Sequence, residues 1–309
     1  MEAKEVRYSF LIPTDAREGR LVATLQSLEE LQAPTGLFEV VVVFDGEMPA
    51  SLKEFLGERA STLPLVVLEQ EQSGPASARN LAASHARGEW IVFLDDDCRV
   101  SPDFLRVLEL ALNPGVRLAI GGKPRTPDRV GIWTETSHII VEAFIECQRD
   151  ASGAFGFLPS QNLVLHRTAW ETTGGFDIDF VAPAGEDREF CYRWIASGGC
   201  LVRLEQLRYI HDHFVGFWKF LQKHRQYGNG AVRFWQKSGT TRGSRYAAFL
   251  LEAARRIKSV HPRRRIPALV AALMLSQIAT LVGIFFARAP NRTSGRPSRV
   301  AESSLGRQP

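Results

Sequence analysis

The chain has 309 residues, 45% of them hydrophobic and 23% charged, with a formal net charge of +4. That length allows one large domain or two modest ones around a buried core. The small charge, with arginine and lysine crowded into the last quarter, argues against a nucleic-acid binder reading phosphates along a broad basic face.

A basic C-terminal end suits an anionic membrane surface better. Cys98, Cys147, Cys191 and Cys200 form neither a C-x-x-C pair nor a zinc-module spacing, so reduced, unpaired thiols are expected. Met1 to Arg7 is charged and leads directly into a strand-like run, so no signal peptide is expected.

In chain order, Tyr8 to Ile12 is a short apolar run stopped by Pro13, and Leu21 to Leu31 repeats leucine at helical spacing. Phe38 to Phe44 is a β-branched run ended by Asp45-Gly46, and Leu65 to Leu68 is another. An alanine-rich helix is expected from Gly74-Pro75 to His85. Trp90 to Leu94 reads as a buried strand that ends in Asp95-Asp96-Asp97, and Ser101-Pro102 as the N-cap and first position of a further helix. Later elements are a helix over Ile132 to Cys147, loop then strand over Phe155 to His166, and a helix over Glu186 to Ser197. A strand over Leu201 to Ile210 and an aromatic, basic helix or pair of helices over Phe214 to Trp235 follow. Apolar strands alternating with helices indicate an α/β fold with a mainly parallel central sheet covered on both faces. In such sheets ligands bind beyond the carboxyl ends of the strands. Thr14, Asp15, Asp45 and the triple aspartate stand there.

Ile266 to Ala287 differs in kind: about 22 residues without a charge, long enough to cross a hydrocarbon core. Arg263-Arg264-Arg265 precede it and Arg288 follows. A buried core helix and an interfacial or re-entrant helix pair remain alternatives. The last stretch, 290–309, has the serine, arginine and proline content of a disordered tail.

Three adjacent carboxylates at a strand end repel one another unless a cation neutralises them. Mg²⁺ or Mn²⁺ would take one or two of them together with substrate phosphates. In extended backbone Asp95 and Asp97 would point to the same side and share a ligand. The small residues of Gly74 to Ala78 allow close backbone approach, with Arg79 positioned for an anionic group. Gly185-Glu186-Asp187 at a helix start either answers the helix dipole or supplies a general base. His211-Asp212-His213 after a strand offers a histidine to a metal.

In order and spacing these pieces resemble the family 2 glycosyltransferases, which have the GT-A fold, from about Tyr8 to Trp235. Ile12-Pro13-Thr14 resembles the family's opening strand and turn, and Phe44-Asp45-Gly46 its base-binding aspartate. Gly74 to Asn80 is similar to its Ala-Arg-Asn segment, and Leu94 to Asp97 to its D-x-D element. Gly174-Gly175-Phe176-Asp177 followed by Gly185-Glu186-Asp187 resembles its acceptor-side motifs. Tyr209-Ile210-His211 and Tyr227-Gly228-Asn229-Gly230 are similar to its closing motifs.

The resemblance implies an inverting transfer from a nucleotide-sugar donor, with Mn²⁺ or Mg²⁺ as cofactor. It places Asp187 as catalytic base, and Pro13, Thr14, Asp45, Arg79, Asp95 and Asp96 on the donor. Asp97 and His211 would hold the metal, with His213 an alternative to His211. Glu186 and Trp218 fall on the acceptor side. Phe44 stands where many members have a second aspartate, which leaves the donor nucleotide open.

Residues 1–120 then form the donor half, 121–240 the acceptor and base half, and 241–289 a membrane-associating segment before the tail. The expected acceptor is a glycan or lipid-linked hydroxyl at the cytoplasmic face of a membrane. Two other functions stay in view. A sugar nucleotidyltransferase would carry a glycine-rich basic loop where this chain has Pro13 to Arg17. A non-catalytic nucleotide-sugar-binding protein would bind a donor without turning it over.

Overall fold

A computed structural model describes residues 6–16, 18–34, 36–113, 115–125, 130–180, 184–240, 245–260 and 262–287. The expected tail, 290–309, lies outside them. The first part of the chain alternates strand and helix: β1 (Tyr8–Thr14), α1 (Glu18–Glu29), β2 (Phe38–Asp45), α2 (Ala50–Arg59), β3 (Leu65–Gln70), α3 (Pro75–His85) and β4 (Trp90–Leu94). A short β5 (Cys98–Val100), α4 (Phe104–Glu109), β6 (Leu118–Arg125), α5 (Ile132–Cys147), β7 (Asn162–His166) and α6 (Arg167–Thr173) come next. The chain continues through α7 (Glu186–Ala196), β8 (Cys200–His211), α8 (Phe217–Ser238), α9 (Tyr246–Lys258) and α10 (Ile266–Phe285).

The strands make one eight-stranded sheet in the order β3-β2-β1-β4-β7-β6-β8-β5. β3, β2, β1 and β4 are parallel, as expected, but the sheet as a whole is mixed. β7 runs antiparallel to β4, with Phe93 opposite Leu163, and antiparallel to β6. A strand buried on both faces reads the same in either direction, so apolar runs alone do not reveal the reversal. The helix expected to begin at Ser101-Pro102 starts instead at Phe104, because those two residues form a turn closed by Phe104 N–H on the Ser101 carbonyl.

Alternate residues of each central strand face opposite layers. Phe10, Ile12, Val40, Val42 and Val92 pack under α1, α2 and α4 through Leu25, Leu52 and Phe104. Leu11, Val41, Phe93 and Leu163 pack on the other side against Ala78 and Ala82 of α3, Trp170 of α6, and Phe190 and Trp194 of α7. Two filled faces leave the carboxyl edge of the parallel strands as the place where polar groups collect.

α5, α9 and α10 form a second packing centre beside this sandwich, around Ile139, Ala143, Phe249 and Leu269, and α8 packs beside it through Phe220 and Ala272. The two glycines of Tyr227-Gly228-Asn229-Gly230 let α8 touch two neighbours at backbone distance. A Cβ on Gly228 would lie 2.1 Å from the Thr280 carbonyl of α10, and one on Gly230 2.2 Å from the Ala184 carbonyl before α7. Gly283 repeats the device from the α10 side, where a Cβ would lie 2.0 Å from the Arg225 carbonyl. Gly228→Val is therefore expected to push α8 and α10 apart and cost about 2 kcal/mol, seen as a lower midpoint in thermal unfolding.

Candidate active site

The edge formed by the ends of β1, β2 and β4 opens into a cleft of about 1750 Å³ that runs across to α8 and α10. Pro13, Thr14, Asp45, Arg79, Asp95, Asp96, Asp97, Glu186, Asp187 and His211 all line it. Trp218 does not. It is 77% exposed, packs edge-on against Phe217, and stands outside that lining. Phe234 and Trp235, farther along α8, supply aromatic surface within the cleft.

The three aspartates do not share one ligand. Residues 95–97 turn rather than extend, since Cys98 N–H bonds to the Asp95 carbonyl at 3.0 Å. The turn sends each carboxylate to a different partner. Asp95 meets Arg79 at 2.7 Å, Asp96 accepts from Thr14 Oγ1 at 2.7 Å, and Asp97 faces the histidines. The extended-backbone expectation, with Asp95 and Asp97 side by side, is corrected by that turn.

Asp45 ends β2 as a receptor for backbone: Ser73 N–H and Gly74 N–H donate to it at 2.7–3.1 Å, and Gln70 Nε2 at 2.7 Å. These bonds hold the loop before α3, where Gly74 has φ +92°, a value glycine adopts without strain. Arg79 follows one turn into the helix. It is 5% exposed and bridges Asp95 and Glu186 (3.2 Å), so one guanidinium joins the triple-aspartate turn to the start of α7. Removing such a buried charge would strand two carboxylates.

Asp97 is 5% exposed. Its Oδ1 lies 3.2 Å from His211 Nε2, and its Oδ2 lies 3.0 Å from His213 Nδ1 and 3.1 Å from Arg20 Nη1. Burial opposes charge on Asp97, but the two imidazoles outweigh it and hold the carboxyl well below its usual range. His213 is pushed the other way, to about 4, by burial and by Lys223 and His211. A neutral imidazole has a free lone pair, and an ionised carboxylate is a hard ligand. The three ligand atoms lie within 4.8 Å of one another. That donor set fits one divalent cation with positions left for diphosphate oxygens, and imidazole nitrogens suit Mn²⁺ better than Mg²⁺. Both histidines converge, where the sequence favoured His211.

Glu186 and Asp187 open α7 behind Gly185, which has φ +97°. Glu186 is pushed up to about 7 by burial and by the neighbouring Asp187 charge, against the pull of Arg79. Asp187 is raised as well, by burial, with Arg79 and the N–H groups of Arg188 and Ser160 working against the rise. Arg188 N–H donates to Asp187 Oδ1 at 2.8 Å. Burial of two neighbouring acids favours the protonated form of the pair more than in isolated carboxyls.

Several residues here have no sequence signal of their own. Arg20 reaches Asp97 from the solvent side of α1. Asn80 pairs with the backbone of Phe176 in both directions, at 2.8 and 2.9 Å, and so ties α3 to the Gly174-Gly175 turn. Arg193 continues the tie from α7, donating to the Gly175 carbonyl at 2.6 Å. Asp177 is turned away from the cleft lining toward Lys237. Recurring glycines and the Ala-Arg-Asn run are the only hints of this bracing.

Comparison with known proteins adds the following. The family described as glycosyl transferase family 2 matches residues 9–174. The chain is 32% identical over 113 residues to an uncharacterized glycosyltransferase of Haemophilus influenzae, covering 35% of this chain and 36% of that protein. It is 28% identical over 223 residues to the pre-mycofactocin glycosyltransferase of Mycobacterium tuberculosis, covering 69% of this chain and 43% of that one. The matched part is thus less than half of either relative. Among solved structures, a mannosyltransferase from Pyrobaculum calidifontis in complex with GDP-Man and Mn²⁺ shares the fold with a TM-score of 0.60. Its identity is 19%, covering 92% of this chain and 76% of that one. The Staphylococcus aureus TarS fragment 1–349 in complex with UDP has a TM-score of 0.55 at 17% identity, covering 90% of this chain and 89% of that one.

Proposed function

The chain belongs to glycosyl transferase family 2, and on that premise we propose that it is an inverting transferase moving a sugar from a nucleoside-diphosphate donor to an acceptor hydroxyl. The observation that carries this reading is that one cleft is lined by both the Asp97–His211–His213 cluster and the Glu186–Asp187 pair, with Arg79 bridging Asp95 and Glu186. A displacement at the anomeric carbon needs a site for the leaving diphosphate on one face and a base on the other. The two clusters stand as those two parts.

In this reading Asp45 and Asp95 hold the nucleoside beside Pro13 and Thr14, and Arg79 keeps Asp95 and Glu186 in register. Asp96, tied to Thr14, fixes the turn that presents Asp97. A divalent cation on Asp97, His211 and His213 would supply Lewis-acid stabilisation of the departing diphosphate. Arg20, no longer needed to neutralise Asp97, is then free for a phosphate oxygen. Asp187 takes the proton from the acceptor hydroxyl as it attacks. Glu186 sets the charge around Asp187. Arg188, stacked 4.0 Å over the Phe234 ring, with Lys219 and Lys223 gives the acceptor side a positive lining.

The acceptor we assign is a lipid-linked or cell-envelope glycan at the cytoplasmic face of a membrane. The support is the cleft's extension to Gln277, Thr280 and Ile284 of the apolar helix. The named relatives include a poly(ribitol-phosphate) β-N-acetylglucosaminyltransferase and succinoglycan biosynthesis proteins. Trp218 would meet such an acceptor only outside the cleft.

The test is turnover of a panel of UDP-, GDP- and dTDP-sugars with Mn²⁺, with and without a membrane-lipid extract. Metal-dependent release of nucleoside diphosphate from one donor supports transfer. Tight donor binding with no turnover under any condition would favour a binding protein instead.

The raised pKa values of this pair imply a pH dependence. Burial raises both carboxyls, Glu186 to about 7, so protonation of the pair as the pH falls should remove the base and lower kcat/KM on the acid side. Glu186→Gln removes the adjacent negative charge and should move that limb down by about one pH unit. A limb that stays in place in the variant would separate Glu186 from the base.

A further inference from the structure

α10 has two unlike faces. Leu269, Ala272, Leu273, Ser276 and Gly283 are buried against the protein, and Gly228 and Gly283 bring the α8 and α10 backbones into contact. Tyr246 donates to Gln277 at 3.2 Å, and Arg265 before the helix pairs with Glu135 at 2.6 Å. The opposite face is open: Val270, Met274, Ile278, Leu281 and Phe285 are 42–83% exposed. Those positions recur every three or four residues, so they form one stripe along the helix. From Pro267 to Phe285 it runs about 27 Å without a charge or a hydrogen-bonding side chain.

By length and composition the helix could cross a bilayer, and a third of its most apolar stretch is buried against the protein. To cross, it would have to leave α5, α8 and α9 and carry Ser276, Gln277 and Thr280 into lipid. Lying flat, it keeps those polar groups on the cleft side and gives lipid only the apolar stripe.

Charge identifies the surface on which it lies. Residues 241–309 hold thirteen arginines and lysines against two acidic residues, whereas residues 1–240 hold twenty-five against thirty-two. Arg263 and Arg264 are exposed at the start of the helix, and Arg255 is 84% exposed on α9. A second copy packed parallel on this stripe would set Arg263 and Arg264 against their own counterparts, whereas an anionic headgroup layer neutralises them.

We propose that α10 lies in the plane of an anionic bilayer, docked on the catalytic domain by its glycine face and immersed by its Val270–Phe285 stripe. Gln277, Thr280 and Ile284 line the cleft that holds Asp187, so this orientation opens the acceptor side of the cleft at the headgroup level. The proposal deepens the membrane part of the proposed function, on which it rests.

The experiment uses the full chain with phosphatidylcholine vesicles, with and without phosphatidylglycerol. Flotation with the anionic vesicles only, reversed by alkaline carbonate, is expected. A bimane probe on Val270→Cys, Ile278→Cys or Phe285→Cys should be quenched equally by a shallow lipid spin label. Ile278→Asp combined with Leu281→Asp should lower the bound fraction about tenfold and leave donor turnover in solution unchanged. Probes that report one deep centre with ends at opposite interfaces, and resistance to carbonate, would overturn the in-plane helix in favour of a span. A wild-type chain that ignores vesicles and elutes as a dimer broken by the same two aspartates would overturn it in favour of a second copy. Donor turnover, read separately, reports on the transferase reading alone.

Discussion

Asp187→Asn is expected to lower kcat about a thousandfold while donor and Mn²⁺ affinity stay within about twofold. General-base catalysis contributes on the order of 10²–10⁴ in rate, and this site offers no equivalent substitute. Glu186 is adjacent, but one of its oxygens is committed to Arg79 at 3.2 Å and its charge is offset there. Asparagine keeps the volume of Asp187 and can still accept from Arg188 N–H at the start of α7, so the helix should hold. Turnover measured with saturating donor and acceptor, beside calorimetric donor binding, separates the two effects. A small loss of kcat would transfer the base role elsewhere in the cleft; loss of donor binding would mean that Asp187 serves the donor.

Asp97→Ala has a different expected signature. The substitution removes the carboxylate that faces both His211 and His213 and takes from Arg20 its partner there. Mn²⁺ binding in the presence of nucleoside diphosphate should drop by at least about a hundredfold, and metal-dependent turnover with it. The donor should still bind weakly through Asp45 and its loop. His211→Ala and His213→Ala should each weaken Mn²⁺ more than Mg²⁺, because imidazole nitrogen is the ligand that favours Mn²⁺. Equal sensitivity of the two metals would argue that the histidines only orient Asp97.

The parallel part of the sheet, β1 to β4, was readable because its signals are local. Apolar runs end at Thr14, Asp45 and Leu94, and in a parallel sheet those ends must lie together. The strand Trp90–Leu94 and the helices Pro75–His85 and Ile132–Cys147 fall where periodicity places them. The remainder depends on contacts far apart in the chain. β6 contains Gly121-Gly122, which reads as a break. It is a strand because Gly122 packs where a Cβ would lie 2.5 Å from the Leu207 carbonyl and 2.6 Å from Asn162. The direction of β7 is likewise set by pairing with β4 rather than by its own residues.

The site shows the same division. Asp97 and Asp187 announce themselves as clustered acids, but Arg20 is one arginine on an amphipathic helix and becomes distinctive only 3.1 Å from Asp97. The triple aspartate suggested one shared ligand, and the turn at Cys98 distributed it among three partners. For α10, composition gave a helix able to cross a membrane, while its two faces emerged only from packing against Gly228 and its neighbours.

The most direct measurement is anomalous diffraction at the manganese edge from crystals grown with Mn²⁺ and a nucleoside diphosphate. One peak bonded to Asp97, with His211 and His213 as the other protein ligands and the diphosphate completing the shell, is the expected result. Manganese held elsewhere in the cleft, at Asp95 or the Glu186–Asp187 pair, would contradict the assignment of the leaving-group site. So would a nucleotide bound without reference to Asp97.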